Sequence, residues 1–195
     1  MQNDFCSGGS LAVGGSLDII PLINSLRENS TFDLIVTTRD WHPSDHVSFG
    51  ANHPGKTLFE LIVVPETGRD QVMWPTHCVQ GSPGAEYHQE VVRKETDIEV
   101  LKGQMKMVES YSGFGGDGEE TGLEAVLKEK GVTKVYACGL AYDYCVGSTA
   151  ESAAQAGFET YIIMDATRSV APESAAKMKV RLDAANVKEI ESTNI

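Results

Sequence analysis

Apolar positions along the chain alternate between two periods. Leu17, Ile20, Ile23 and Leu26 recur at helical spacing and Pro21 suits a first turn, so a helix is predicted over 16–28. "DLIVTT" (33–38) is short, apolar and rich in β-branched residues, which predicts a buried strand. Residues 39–94 carry Pro43, Pro54, Pro65, Pro75 and Pro83 among many glycines and read mostly as loop with short elements inside it. Regular alternation then returns. "IEVLKG" (98–103) is a strand, and "ESYSGFGGDGEE" (109–120) a loop feeding a helix across Leu123, Val126 and Leu127 that Gly131 stops. "KVYACGLA" (134–141) is a strand, followed by a small-residue helix that Gly157 closes. "TYIIMDAT" (160–167) is a strand, "PESAAKMKVRLDAA" (172–185) a helix begun by Pro172, and "VKEI" (187–190) a last short strand. Strand and helix in alternation predict an α/β fold, a mostly parallel doubly wound sheet with helices on both faces. In such folds ligands gather at the carboxyl ends of the strands.

Composition narrows this picture. With 195 residues, 41% of them apolar, the chain can close one core, and no repeat or composition break divides 1–195 into more than a single domain. A net charge of -12 excludes an electrostatic grip on nucleic acid or an anionic membrane. The partner expected is a small molecule, with self-association into a homo-oligomer left open. No run reaches the roughly 20 apolar residues a bilayer span needs, and no signal peptide is recognisable, so a soluble, cytoplasmic protein is expected. The four cysteines do not suggest a disulfide framework, and Cys138, inside an apolar strand, reads as a buried residue.

Three groups of residues carry chemistry. "TTRDWHPSDHVSF" places Asp40, His42 and His46 just beyond a strand, and "MWPTHC" adds His77. An Asp-x-His pair with a distant His can hold one ion with positions left open, and nitrogen plus carboxylate ligands suit Zn, Fe or Mn alike. The same residues could instead hydrogen-bond backbone and water in a polar loop. Trp41 and Trp74 flank this region. Cys145 falls where a strand gives way to a helix, and the unpaired N–H groups of a helix start can lower a thiol's pKa and hold an oxyanion. A small buried thiol is the plain alternative. Lys102 ends a strand whose carboxyl edge is shared with 134–141, so Lys102 and Cys145 can meet in one cleft. No carboxylate of the sequence is an obvious third member.

Taken together, "MQNDFCSGGSLAV", "TTRDWHPSDHVSF", "WPTHCVQGSPGAEYH", "LKG", "YSGF" and "GLAYDYCVGSTAESAAQAG" resemble, in order and over nearly the whole chain, the nicotinamidases of the isochorismatase-like cysteine hydrolases. The resemblance implies an α/β fold with a six-stranded parallel sheet, and hydrolysis of nicotinamide to nicotinate and ammonia in pyridine-nucleotide (NAD) salvage. It also implies Cys145 as nucleophile, Lys102 as active-site lysine, and one divalent ion, zinc before iron or manganese, on Asp40, His42 and His77. His46 matches a ligand in some members only. Phe5, Trp74 and Tyr111 match residues around the pyridine ring. The backbone N–H groups of Ala141 and Cys145 match the oxyanion hole, with a cis peptide between Leu140 and Ala141.

The chain departs from the family pattern at its start. The family's proton-transfer aspartate ends a first strand in a pattern like D-x-Q-N-D-F, which here begins at the x; Asp4 matches the later aspartate. The expectation is an apolar strand ending in Asp, immediately upstream of Met1. Other readings are a relative acting on another small amide or a vinyl ether, and an inactive homologue that binds nicotinate without turning nicotinamide over. The Asp-x-His pattern with "WPTHC" favours the nicotinamidase reading over other hydrolases of the superfamily.

Overall fold

A computed structural model describes residues 1–29, 32–116 and 118–195. The strands are β1 (Val36–Asp40), β2 (Leu61–Val63), β3 (Asp70–Val72), β4 (Ile98–Lys102), β5 (Gly115–Gly116), β6 (Glu119–Glu120), β7 (Lys134–Leu140), β8 (Glu159–Arg168) and β9 (Lys188–Ile190). The α-helices are α1 (Ile20–Asn29), α2 (Leu123–Glu129), α3 (Gly147–Gln155) and α4 (Pro172–Ala184). The α/β fold follows the alternation read from the sequence, and helices cover both faces. The reason shows in β8, where successive side chains point to opposite sides. Ile162 packs with Val146, Ala150, Met178 and Leu182 under α3 and α4, while its neighbour Ile163 packs with Leu22, Ile23 and Leu26 of α1. Gly147 lets α3 lie close to α4, since a Cβ there would stand 2.5 Å from the Met178 side chain.

The parallel strands form two sheets. β1 pairs with β4, and β7, β8 and β9 form the other. Among the described residues, β1 and β7 each pair with a strand on one edge only. The proline-rich stretch 39–94 does hide short elements, notably the antiparallel hairpin of β2 and β3, whose Ile62 packs with Val47, Val64 and Met73.

Several boundaries differ from expectation. The strand predicted at 33–38 lies at Val36–Asp40 because its register is set by β4, Val36 facing Ile98 and Asp40 facing Lys102. Pairing, and not apolarity, carries polar Arg39 and Asp40 into the strand, so Asp40 is its last residue and does not lie beyond it. The helix expected directly after 141 is divided. Tyr142–Val146 form a π-helical turn, with the Val146 N–H bonded to the Ala141 carbonyl at 3.0 Å, before α3 begins. Cys138 is exposed, not buried: it sits at the register irregularity between Ala137 and Gly139, on a strand with one edge unpaired by any described strand. Position 117 of the predicted loop 109–120 lies outside the described residues. Among the described residues no helix is long and apolar enough to cross a membrane.

Candidate active site

The carboxyl ends of β1, β4 and β7 converge, and each delivers one chemical group. Asp40 is fixed through its backbone. The Trp41 N–H bonds the Lys102 carbonyl on the β4 side, which turns the Asp40 amide and carbonyl to the opposite edge. There the Gln2 carboxamide takes both, accepting the Asp40 N–H at 2.8 Å and donating to its carbonyl at 2.7 Å. The side chain of Asp40 is buried, and its Oδ2 lies 3.6 Å from His42 Nε2 and 3.9 Å from His77 Nε2.

Both imidazoles turn Nε2 toward that carboxylate. His42 Nδ1 is 2.8 Å from the Gly103 carbonyl and His77 Nδ1 is 2.7 Å from the Pro75 carbonyl. A carbonyl only accepts, so each Nδ1 carries a proton, and in the neutral ring each Nε2 offers its lone pair; burial lowers the His42 pKa, but the charges around it, the Asp40 carboxylate opposite first, raise it more. His42 Nε2 is fully buried and has no hydrogen-bond partner. A buried acceptor without a partner is costly unless something else satisfies it. With Asp40 Oδ2 and His77 Nε2 it forms a set whose atoms lie within 4.8 Å of one another. Two imidazoles and a carboxylate fit a divalent metal ion.

His46 stacks on His42 with ring centroids 4.2 Å apart, but both of its nitrogens are engaged. Nε2 donates to the Val108 carbonyl at 3.0 Å and Nδ1 accepts from the Ser48 hydroxyl at 2.8 Å. Burial, then the neighbouring His42, lowers its pKa to about 4, so the ring stays neutral. It braces His42 and has no nitrogen free for an ion. The loop of His77 is held by Asp4, whose carboxylate accepts the Cys78 N–H at 2.7 Å where Cys78 turns at φ 47°.

Lys102 joins this corner to the thiol. Its buried ammonium has three protons and three acceptors: Asp40 Oδ1 at 2.5 Å, the Ser110 carbonyl at 2.9 Å and Cys145 Sγ at 3.3 Å. Burial opposes both charges, yet the pair wins: Lys102 is held well above the ordinary ammonium range and Asp40 well below the ordinary carboxylate range. For Cys145 burial prevails. It pushes the thiol up to about 12 against the pull of Lys102. The low-pKa thiol expected of a helix start is therefore not what this environment makes; the resting group is neutral. Cys145 sits in the π-helical turn, directly after the Leu140–Ala141 peptide, which is cis.

A cleft opens over Cys145, lined among others by Phe5, Trp74, His77, Glu109, Tyr111 and Ala141. The Trp74 indole N–H donates to the Tyr111 hydroxyl at 2.9 Å, and Tyr144 packs edge-on against Trp74 at 4.8 Å. Phe5 lies against His77 at 5.5 Å. All nine sequence-derived positions thus fall in or beside one cleft. The sequence reading missed Tyr144, Glu109, Leu11, Val13 and Val170, which also line it. Tyr144 adjoins Cys145. Glu109 is two residues before Tyr111, and in an extended segment such spacing puts both side chains on one side; that signal was available. Val170 comes from the segment before α4, which the buried Asp143 carboxylate anchors through the Val170 and Ala171 N–H groups.

The Isochorismatase domain family model matches residues 1–194. The chain belongs to that family. A curated nicotinamidase from Acinetobacter baylyi is 44% identical over 172 residues, covering 87% of this chain and 78% of the relative. Three solved structures are similar over nearly the whole chain. An Acinetobacter baumanii nicotinamidase/pyrazinamidase superposes with a TM-score of 0.93 at 40% identity, covering 99% of this chain and 93% of that one. A Pyrococcus horikoshii pyrazinamidase in complex with zinc gives 0.79 at 35%, covering 98% and 94%. PnC1 from L. infantum, in complex with nicotinate, gives 0.86 at 34%, covering 99% and 89%. Family membership at this identity makes the chain a hydrolase of the amidohydrolase kind, acting on a small molecule.

Proposed function

We propose that this isochorismatase-family chain hydrolyses nicotinamide to nicotinate and ammonia through a thioester on Cys145, returning nicotinate to NAD salvage. The observation that carries this reading is the Lys102 ammonium, which touches Asp40 of the ligand trio and the Cys145 sulfur at once under an aromatic cleft. The names and ligands of the similar structures support the substrate.

Phe5, Trp74 and Tyr111 hold the pyridine ring so that its amide carbon faces Cys145, an orientation that removes much of the barrier. Asp40, His42 and His77 would hold a divalent ion, zinc in this reading, whose chemistry there is that of a Lewis acid toward the ring nitrogen and water. A neutral thiol must lose its proton to attack. That proton passes to the amide nitrogen that will leave, and Lys102 stabilises the thiolate that attacks. Attack forms the C–S bond and a tetrahedral oxyanion, which the N–H groups of Ala141 and Cys145 hold. The transferred proton leaves with the nitrogen as ammonia, and water then cleaves the thioester to nicotinate and the free thiol. On this reading residues 1–195 form one hydrolase domain.

Ammonia release measured over nicotinamide, pyrazinamide, benzamide and a small aliphatic amide tests the substrate. Turnover of the two ring-nitrogen amides well above benzamide is expected. Equal rates on all four would remove the case for a pyridine site.

A further inference from the structure

We propose that Glu119 is a positioning residue that sets the metal-facing nitrogen of His42 through a single peptide group. The proposal rests on His42 acting as a ligand. Glu119 lies in β6, is buried, and does not line the cleft. Its two carboxylate oxygens accept the N–H groups of Gly103 at 2.7 Å and Gln104 at 2.8 Å, immediately after β4. The Gln104 N–H belongs to the same peptide group as the Gly103 carbonyl, and that carbonyl accepts the His42 Nδ1–H at 2.8 Å. Carboxylate, peptide and imidazole thus form one continuous chain ending at the unpartnered, buried Nε2 of His42.

Two physical consequences follow. A carboxylate on the N–H side polarises the peptide and makes its carbonyl a stronger acceptor. That holds His42 in the Nδ1–H form and strengthens the donor at Nε2, as a carboxylate placed directly behind a ligating histidine does. The geometry is also tight. Gly103 turns at φ 63°, and a Cβ there would lie 2.3 Å from His42 Cε1, so the peptide sits against the ring and cannot drift without moving it.

The test uses the full 195-residue chain, its Glu119→Gln, Glu119→Asp and His42→Ala variants, and zinc alone as probe. Zinc affinity is read by chelator competition, and fold by melting of the metal-free proteins. Glu119→Gln is expected to weaken zinc binding about 10–100-fold, the range for such outer partners, with Glu119→Asp recovering part of the loss. Unchanged affinity in a folded Glu119→Gln overturns the proposal. Unchanged affinity in His42→Ala overturns the ligand reading, and the relay with it. Should Glu119→Gln fail to fold, nitrogen-15 NMR of the unaltered metal-free chain decides: a proton on His42 Nδ1 is expected, and a ring protonated at Nε2 alone refutes the relay.

Discussion

The two corners of the cleft are built by opposite means. At the carboxyl ends of β1 and β4, polar groups are pinned by backbone: Gln2 grips Asp40, the Gly103 carbonyl turns His42, and the Pro75 carbonyl turns His77. The outcome is a buried carboxylate facing two imidazole nitrogens, an arrangement that fits a divalent cation. Beyond β7 the chain uses an irregular turn and burial, and Cys145 is left neutral, its thiol pushed up to about 12. One corner is ready before any ligand arrives; the other must be activated. Lys102, in contact with both, is where the difference is reconciled.

That contrast can be sharpened at the thiol. If burial dominates there, alkylation of Cys145 by iodoacetamide should keep rising, about tenfold per pH unit and about 10³-fold from roughly pH 7 to pH 10, with no plateau. Peptide mass spectrometry separates Cys145 from exposed Cys138. A plateau near neutral pH would mean a preformed thiolate. The link between corners breaks with Lys102→Met, which removes the ammonium but keeps a long side chain. Ammonia release should fall roughly 10²–10³-fold in kcat with KM little changed, since the lost stabilisation falls on the transition state. A fall confined to KM would make Lys102 a binding residue. The smallest effect is expected where the corners share a wall: Tyr111→Phe deletes the acceptor of the Trp74 indole N–H. About 1 kcal/mol, or roughly fivefold in KM, should be lost in steady-state kinetics. No change would show that this hydrogen bond does not set the ring pocket.

Much of this was legible in the sequence because it rests on local pattern. The strand-helix alternation from 98 to 190 needs only periodicity, and the elements found there lie within a few residues of those predicted. The order of the six segments likewise carries the family. What was hidden depends on long-range pairing. The end of β1 is set by β4, so apolarity ended the strand two residues early. His42 and His46 look alike in "WHPSDH", and only the partners at Gly103, Ser48 and Val108 show that one has a free nitrogen and the other none. Glu119, in an acidic loop, gives no sign in sequence that its carboxylate is buried behind Gly103. The state of the thiol was left open for the same reason: a helix start is local, whereas desolvation is a property of the assembled site.

The central claim is that Cys145 carries the acyl group of nicotinamide during turnover. Acid-quenching the chain while it hydrolyses nicotinamide, followed by peptide mass spectrometry, tests it most directly. A nicotinoyl group is expected on the peptide containing Cys145, and neither adduct nor ammonia from Cys145→Ala, which should still bind nicotinate. Ammonia released by Cys145→Ala at an undiminished rate would contradict it.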